Sequence, residues 1–192
     1  MKERTAFLSV RNMAYVALFT AVLCAAAPFS ITIGPIPLSF ATLVIYIAAA
    51  SLGWKRGVLS VALYIALGAV GLPVFSNFEG GFHKIAGYSG GFIIGYIPCA
   101  LVVGAIIDAS GSLPLFPQAP ERRVFIYAFG MVCGTVLLYL CGTVWFMIVT
   151  GSSLPASLLM TAVPFLPGDA AKIVFACIIS PRLRSLLKRD SR

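Results

Sequence analysis

Arg123-Val-Phe-Ile-Tyr-Ala-Phe-Gly-Met-Val-Cys-Gly-Thr-Val-Leu-Leu-Tyr-Leu-Cys-Gly-Thr-Val-Trp-Phe-Met-Ile-Val-Thr150 contains no Asp, Glu, Lys, Arg or His after its first residue. A helix crosses the hydrocarbon core of a bilayer in about 20 apolar residues. This stretch is long enough to do so, and it is introduced by the pair Arg122-Arg123. Five further apolar runs can be marked around it, at approximately 12–30, 38–53, 57–74, 89–110 and 158–187. The expectation is a single all-α membrane domain over residues 1–192, built as a six-transmembrane-helix bundle.

Composition agrees. Of 192 residues, 60% are hydrophobic and 10% charged, and mean hydropathy is +1.00. A soluble domain carries about 25% charged residues, and one this apolar would have no means of hiding its surface from water. The net charge of +8 raises the question of nucleic acid. The basic residues, however, sit in short clusters at the ends of apolar runs, with no stripe and no interleaved aromatics, which fits lipid headgroups and excludes a nucleic-acid reading.

Those clusters orient the chain. Lys2, Arg4 and Arg11 precede the first run; Lys55 and Arg56 separate the second and third. Arg122 and Arg123 precede the fifth, and Arg182, Arg184, Lys188, Arg189 and Arg192 close the sixth. Thus 12 of the 14 basic residues fall on one side, Lys84 alone falls in the opposite connections, and Lys172 lies inside a run. Positive residues mark the cytoplasmic side, so both termini are expected in the cytoplasm of a multi-pass plasma-membrane protein. The first run has the layout of a signal peptide, but it fits the charge alternation as a span and is expected to be retained.

The outer connections are then 31–37, 73–88 and 151–155, rich in Pro and Gly. The longest reads either as an exposed connection or as a lid over a pocket, since irregular backbone at membrane depth must be buried or line a cavity.

Chemistry-bearing residues are few. There is no GxxxxGK[ST] phosphate loop, one histidine (His83), and six carboxylates, four of them (Glu3, Asp108, Glu121 and Asp190) at cytoplasmic ends. Nucleophile–base schemes lack their parts, so binding or transport, and no enzyme, is the expected class. The five cysteines lie in apolar runs without CxxC spacing and read as core residues; no metal or cofactor is expected. Asp169 and Lys172 stand out. They follow Pro164-Phe-Leu-Pro-Gly168 inside an apolar run, and a Pro/Gly break of that kind points to a solute site. Three residues apart, they share a helix face. They also read as a self-neutralising structural pair, with Asp169 as a helix N-cap. Ala17, Ala21 and Ala25, then Gly87, Gly91 and Gly95, then Gly130 and Gly134 form small-residue stripes, which permit close helix approach. Tyr46, Tyr64, Tyr96, Tyr139 and Trp145 are aromatic candidates for core, belt or pocket wall.

Gly34-Pro-Ile-Pro-Leu-Ser39, Gly53-Trp-Lys-Arg-Gly57, Gly71-Leu-Pro-Val-Phe75, Gly90-Gly91 and Phe165-Leu-Pro-Gly-Asp-Ala-Ala-Lys172 together resemble the BioY family of biotin-binding subunits of energy-coupling factor transporters. The resemblance runs through nearly the whole chain in order. It implies a subunit that captures biotin from outside, while a transmembrane coupling protein and two cytoplasmic ATPase subunits supply energy. It also implies that Ala17, Ala21 and Ala25 dock on the coupling protein. Biotin's ureido ring, apolar thioether ring and carboxylate tail require an acceptor, a donor, an apolar wall and a cation. Asp169 is the candidate acceptor for the ureido N–H groups, Asn77 can donate and accept, Lys172 either meets the carboxylate or holds Asp169, and Tyr88 is a candidate to close the lid, with Ser39 and Thr42 as further polar lining. Asn77 reads equally as a residue shaping its own turn. The chain departs from the family pattern at Ala41, often Gln, and at Tyr88-Ser89, often Pro-Thr, so the lining near the second helix and lid is expected to differ. The same scaffold serving another small vitamin, and a stand-alone gradient-driven carrier, are the competing readings.

Overall fold

The computed structural model describes residues 9–34, 36–112 and 120–190. Lys2, Arg4 and Arg192 of the basic clusters lie outside them. The helices are α1 (Val10–Ala26), α2 (Ala41–Leu52), α3 (Trp54–Ala69), the short α4 (Phe82–Ala86), α5 (Gly90–Ser112), α6 (Pro120–Thr150), α7 (Leu154–Thr161) and α8 (Leu166–Asp190). Two 3-10 turns, Ser76–Phe78 and Val163–Phe165, interrupt the outer loop and the last run. The six apolar runs correspond to α1, α2, α3, α5, α6 and the broken pair α7–α8.

By length and composition, three segments are able to cross a membrane: Gly90–Ser110, Arg123–Thr150 and Leu154–Leu187. The helices Val10–Ala26 and Ala41–Leu52 are apolar but shorter. At 1.5 Å per residue, the 12 residues of α2 cover roughly 18 Å of the ~30 Å hydrocarbon core. Only Leu43 and Ile47 of the large side chains on α2 escape full burial, and its face residues Ile45, Tyr46, Ala48, Ala49 and Ala50 are sealed. The helix sits at the centre of the bundle, against α3, α5 and α8.

One correction to the all-helical expectation concerns residues 30–39. Instead of a plain connection they form an antiparallel hairpin, β1 (Ser30–Ile33) with β2 (Ile36–Ser39), in the register Ser30↔Ser39 and Ile33↔Ile36. Gly34, with φ of 82°, supplies the left-handed backbone that so tight a turn needs. The β-branched residues on either side favour extended chain. Pro37 donates no hydrogen bond, which a two-stranded ribbon tolerates because each strand has a free edge.

Trp54, Lys55, Arg56 and Gly57, expected as a turn, are the first turn of α3, and Gly53 alone, at φ of 86°, joins α2 to α3. A Cβ there would meet the Asp108 carboxylate at 2.7 Å. That carboxylate, on α5, accepts from the backbone N–H of Trp54 at 3.0 Å. It thus caps the start of α3 from across the bundle, where an anion is favoured. The glycine stripes of α5 and α6 serve packing between these two helices: Gly91 faces Trp145, Gly95 faces Leu138 and Cys141, and Gly134 faces Val103 and Cys99.

Candidate functional site

α7 ends at Thr161, a 3-10 turn spans Val163–Phe165, and α8 starts anew at Leu166, placing Asp169 in the first turn of α8. Asp169 is therefore inside the helix and is not its N-cap. An anion in a first turn is stabilised by the exposed N–H groups of the helix end. Lys172 follows one turn later, with Nζ 2.9 Å from Asp169 Oδ1. Both residues are buried, at 4% and 8% exposure.

The two groups are held differently. The Lys172 ammonium donates to Ser39 O at 2.8 Å, Thr42 Oγ1 at 2.9 Å and Asp169 Oδ1 at 2.9 Å. An ammonium has three N–H groups, and all three are matched. Asp169 Oδ1 also accepts from Thr42 Oγ1 at 3.4 Å, and Oδ2 accepts from Tyr139 OH at 2.6 Å. A carboxylate offers about four lone-pair sites. With three occupied, roughly one remains, on the Oδ2 side. The cluster is thus a neutral, nearly saturated unit with spare acceptor capacity and no spare lysine donor. Ser39 is further fixed by its Oγ, which accepts from the N–H of Ala41 at 3.2 Å.

This cluster forms part of the wall of a cavity that also receives Pro37, Leu38, Tyr64, Phe75, Ser76, Lys84, Ser89, Phe92, Tyr96, Leu138 and Phe165. The cavity has a volume of about 50 Å³, smaller than a typical small-molecule pocket of about 300–1,000 Å³. Its apolar wall depends on two glycines. A Cβ at Gly68 would lie 2.2 Å from the tip of the Phe75 ring, and one at Gly142 would lie 2.3 Å from the tip of Phe92. Each glycine is the seat of an aromatic ring that lines the cavity. Phe75 also meets Tyr64 edge-on, with ring centroids 5.6 Å apart, an arrangement that suits aromatic quadrupoles.

Asp169, Lys172, Ser39 and Thr42 are thus brought together. Asn77 and Tyr88 are not part of the cavity lining. Asn77 lies on the outer loop with φ of 63°. Its Oδ1 accepts from Ser30 Oγ at 2.7 Å, and its backbone N–H donates to Pro28 O at 3.0 Å. It fastens the loop to the hairpin, which is a positioning role. Tyr88 is 45% exposed, while its neighbour Ser89 lines the cavity. Among the aromatic candidates, Tyr64, Tyr96 and Tyr139 are cavity residues. Tyr46 is buried against Thr135, 2.6 Å away. Trp145 Nε1 donates to Gly87 O at 2.9 Å, pinning the far end of the outer loop to α6. No sequence signal marked Gly68 and Gly142 as ring seats, or Phe75 and Phe92 as wall. Ala17, Ala21 and Ala25 lie on the exposed face of α1, opposite the buried Val16, Phe19, Thr20 and Leu23.

These features define a helical membrane protein with a cavity walled by aromatic rings and a nearly saturated buried ion pair. The chain belongs to the BioY family, whose model matches residues 1–189. A biotin transporter BioY of Thermotoga maritima is 33% identical over 177 residues, covering 92% of this chain and 98% of the relative. A biotin transporter BioY of Rhodobacter capsulatus is 33% identical over 180 residues, covering 88% and 91%. The crystal structure of an S-component for biotin from an ECF-type ABC transporter superposes with a TM-score of 0.79 at 26% identity, covering 92% of each chain.

Proposed function

We propose that this chain captures biotin as the S-component of an ECF-type importer. The observation that carries this reading is the Asp169–Lys172–Thr42–Tyr139 cluster in the cavity wall. Its remaining acceptor capacity on Asp169 suits one ureido N–H, and the seated rings of Phe75 and Phe92 suit the apolar thioether ring. Membership of a family of biotin transporters supports the same ligand. Lys172 acts by holding Asp169, Ser39 and Thr42 in place; its N–H groups are committed to them.

The polypeptide is read as six spans with both termini cytoplasmic, on the strength of the basic clusters at one end of the bundle. Energy is assigned to partners, a transmembrane coupling protein and two cytoplasmic ATPase subunits, with the exposed Ala17, Ala21 and Ala25 face as the docking surface. Mass spectrometry of small molecules carried through purification tests the ligand: biotin is expected, and another vitamin in its place would overturn the assignment. In a cysteine-free background, single cysteines at Asn77 and Ser152 should react with an impermeant thiol reagent on intact cells, and cysteines at Arg56 and Arg123 should not. Ala21→Trp should leave biotin binding by the isolated subunit intact and block co-purification with the coupling protein.

A further inference from the structure

Resting on the reading of the cavity as a biotin site, we propose that Lys84 is the cation that receives the ligand's carboxylate, and that Glu79 competes with the ligand for it. The carboxylate tail calls for a positive partner. Among the described residues lining the cavity, the cations are Lys84 and Lys172. Lys172 is excluded by its geometry. Its three N–H groups already meet three oxygens at 2.8–2.9 Å, and its charge is balanced by Asp169. A second anion there would have to break a saturated buried set.

Lys84 is held differently. Its Nζ donates to Glu79 Oε2 at 2.6 Å, which leaves two of its three N–H groups for a ligand. The side chain is sheltered, 14% exposed, whereas that of its counter-ion Glu79 is 42% exposed. A sheltered cation paired to a surface carboxylate is suited to exchange. An incoming carboxylate can take the ammonium, and Glu79, already 42% exposed, can return to water. The segment that carries Lys84 is well anchored. α4 runs from Phe82 to Ala86, the following Gly87 carbonyl is bonded to Trp145 of α6, and Phe75, Ser76 and Ser89 share the same stretch of wall. The position also accounts for an anomaly of the sequence, since Lys84 is the one basic residue in the connections opposite the basic clusters.

Calorimetry on the full chain with biotin and with its uncharged methyl ester tests the proposal. The wild type should prefer biotin. Lys84→Gln should weaken biotin by about tenfold or more, as expected for loss of a hydrogen bond to a charged group, and leave the ester unchanged, so that the preference disappears. Lys84→Arg should restore most of it. Glu79→Gln, which breaks the same ion pair but spares the lysine, should leave biotin binding as tight as in the wild type or tighter. Equal losses for both ligands in Lys84→Gln, an unchanged biotin affinity in that variant, or a matching loss in Glu79→Gln would overturn the assignment while leaving the biotin reading in place. A wild type that binds neither ligand would overturn the biotin reading itself.

Discussion

Helix α8 carries a charged pair near each end, and the two behave as different devices. At its start, Asp169 and Lys172 are buried, and the lysine reaches the C-terminal end of β2 and the first turn of α2 through Ser39 and Thr42. Toward its end, Arg184 pairs with Asp108 of α5 and donates to Ala50 O of α2 at 3.0 Å. The Asp108 side chain there is 32% exposed. Both pairs tie α8 to α2, one at each end of that short central helix. The Asp169–Lys172 pair faces a cavity and keeps acceptor capacity; the Arg184–Asp108 pair joins α2, α3, α5 and α8. The two pairs differ in burial. A buried pair holds its geometry and its strength, whereas a partly hydrated pair of the same chemistry is worth little more than a surface salt bridge.

Lys172→Met is the sharpest way to break this comparison. It leaves the Asp169 carboxylate buried without its cation, a change that costs about 3–5 kcal/mol. Thermal melting in detergent should fall by the largest margin of any variant considered. Biotin and its methyl ester should be weakened together, because the lysine acts through its neighbours. A loss confined to biotin would return Lys172 to the carboxylate site.

Asp169→Asn keeps the shape of the Asp169–Lys172 pair and leaves the Lys172 ammonium without its counter-charge. Loss of one partner in such a contact costs about 2–5 kcal/mol, so biotin affinity should fall by roughly thirty-fold or more in titration calorimetry. Near-native affinity would take Asp169 out of the site. Gly142→Ala should act through Phe92, since the new methyl would displace a ring that lines the cavity. Overpacking costs about 1–3 kcal/mol, and a several-fold loss of affinity for biotin and ester alike is expected.

Arg184→Ala should have the smallest effect on binding. It should lower stability by about 1 kcal/mol and leave biotin affinity unchanged. Arg184 lies 12 residues beyond Lys172 on the same helix, roughly 18 Å along its axis. At that separation the effects of Arg184→Ala and Asp169→Asn should add. Non-additive losses in the double variant would show that the two ends of α8 form one coupled device.

Much of this molecule is determined by its sequence alone. Apolar runs long enough to meet lipid, and basic clusters at alternate connections, depend only on the chain and the bilayer as solvent. They specify the class, the helical regions and the expected orientation without reference to packing. The pairing of Asp169 with Lys172 was legible for the same reason: a spacing of three on a helix is local, and the Pro/Gly break in front of it is visible as residues. The hairpin at 30–39 left a fainter trace, β-branched residues around Gly34-Pro35, and Pro37 obscured it.

What the ion pair can still offer to a ligand was decided by the tertiary structure. Lys172 is saturated because the fold brings Ser39 and Thr42, distant in sequence, against α8, and Asp169 is completed by Tyr139 from α6. Asn77 has the composition of a site residue but is bonded to the hairpin. Gly68 and Gly142 look like any other small residues in membrane helices until a ring is found seated on each. Periodicity and charge act along the chain over a few residues. Donor count, cavity wall and the partner of each polar atom are fixed by which helices pack together, and that depends on the whole bundle at once.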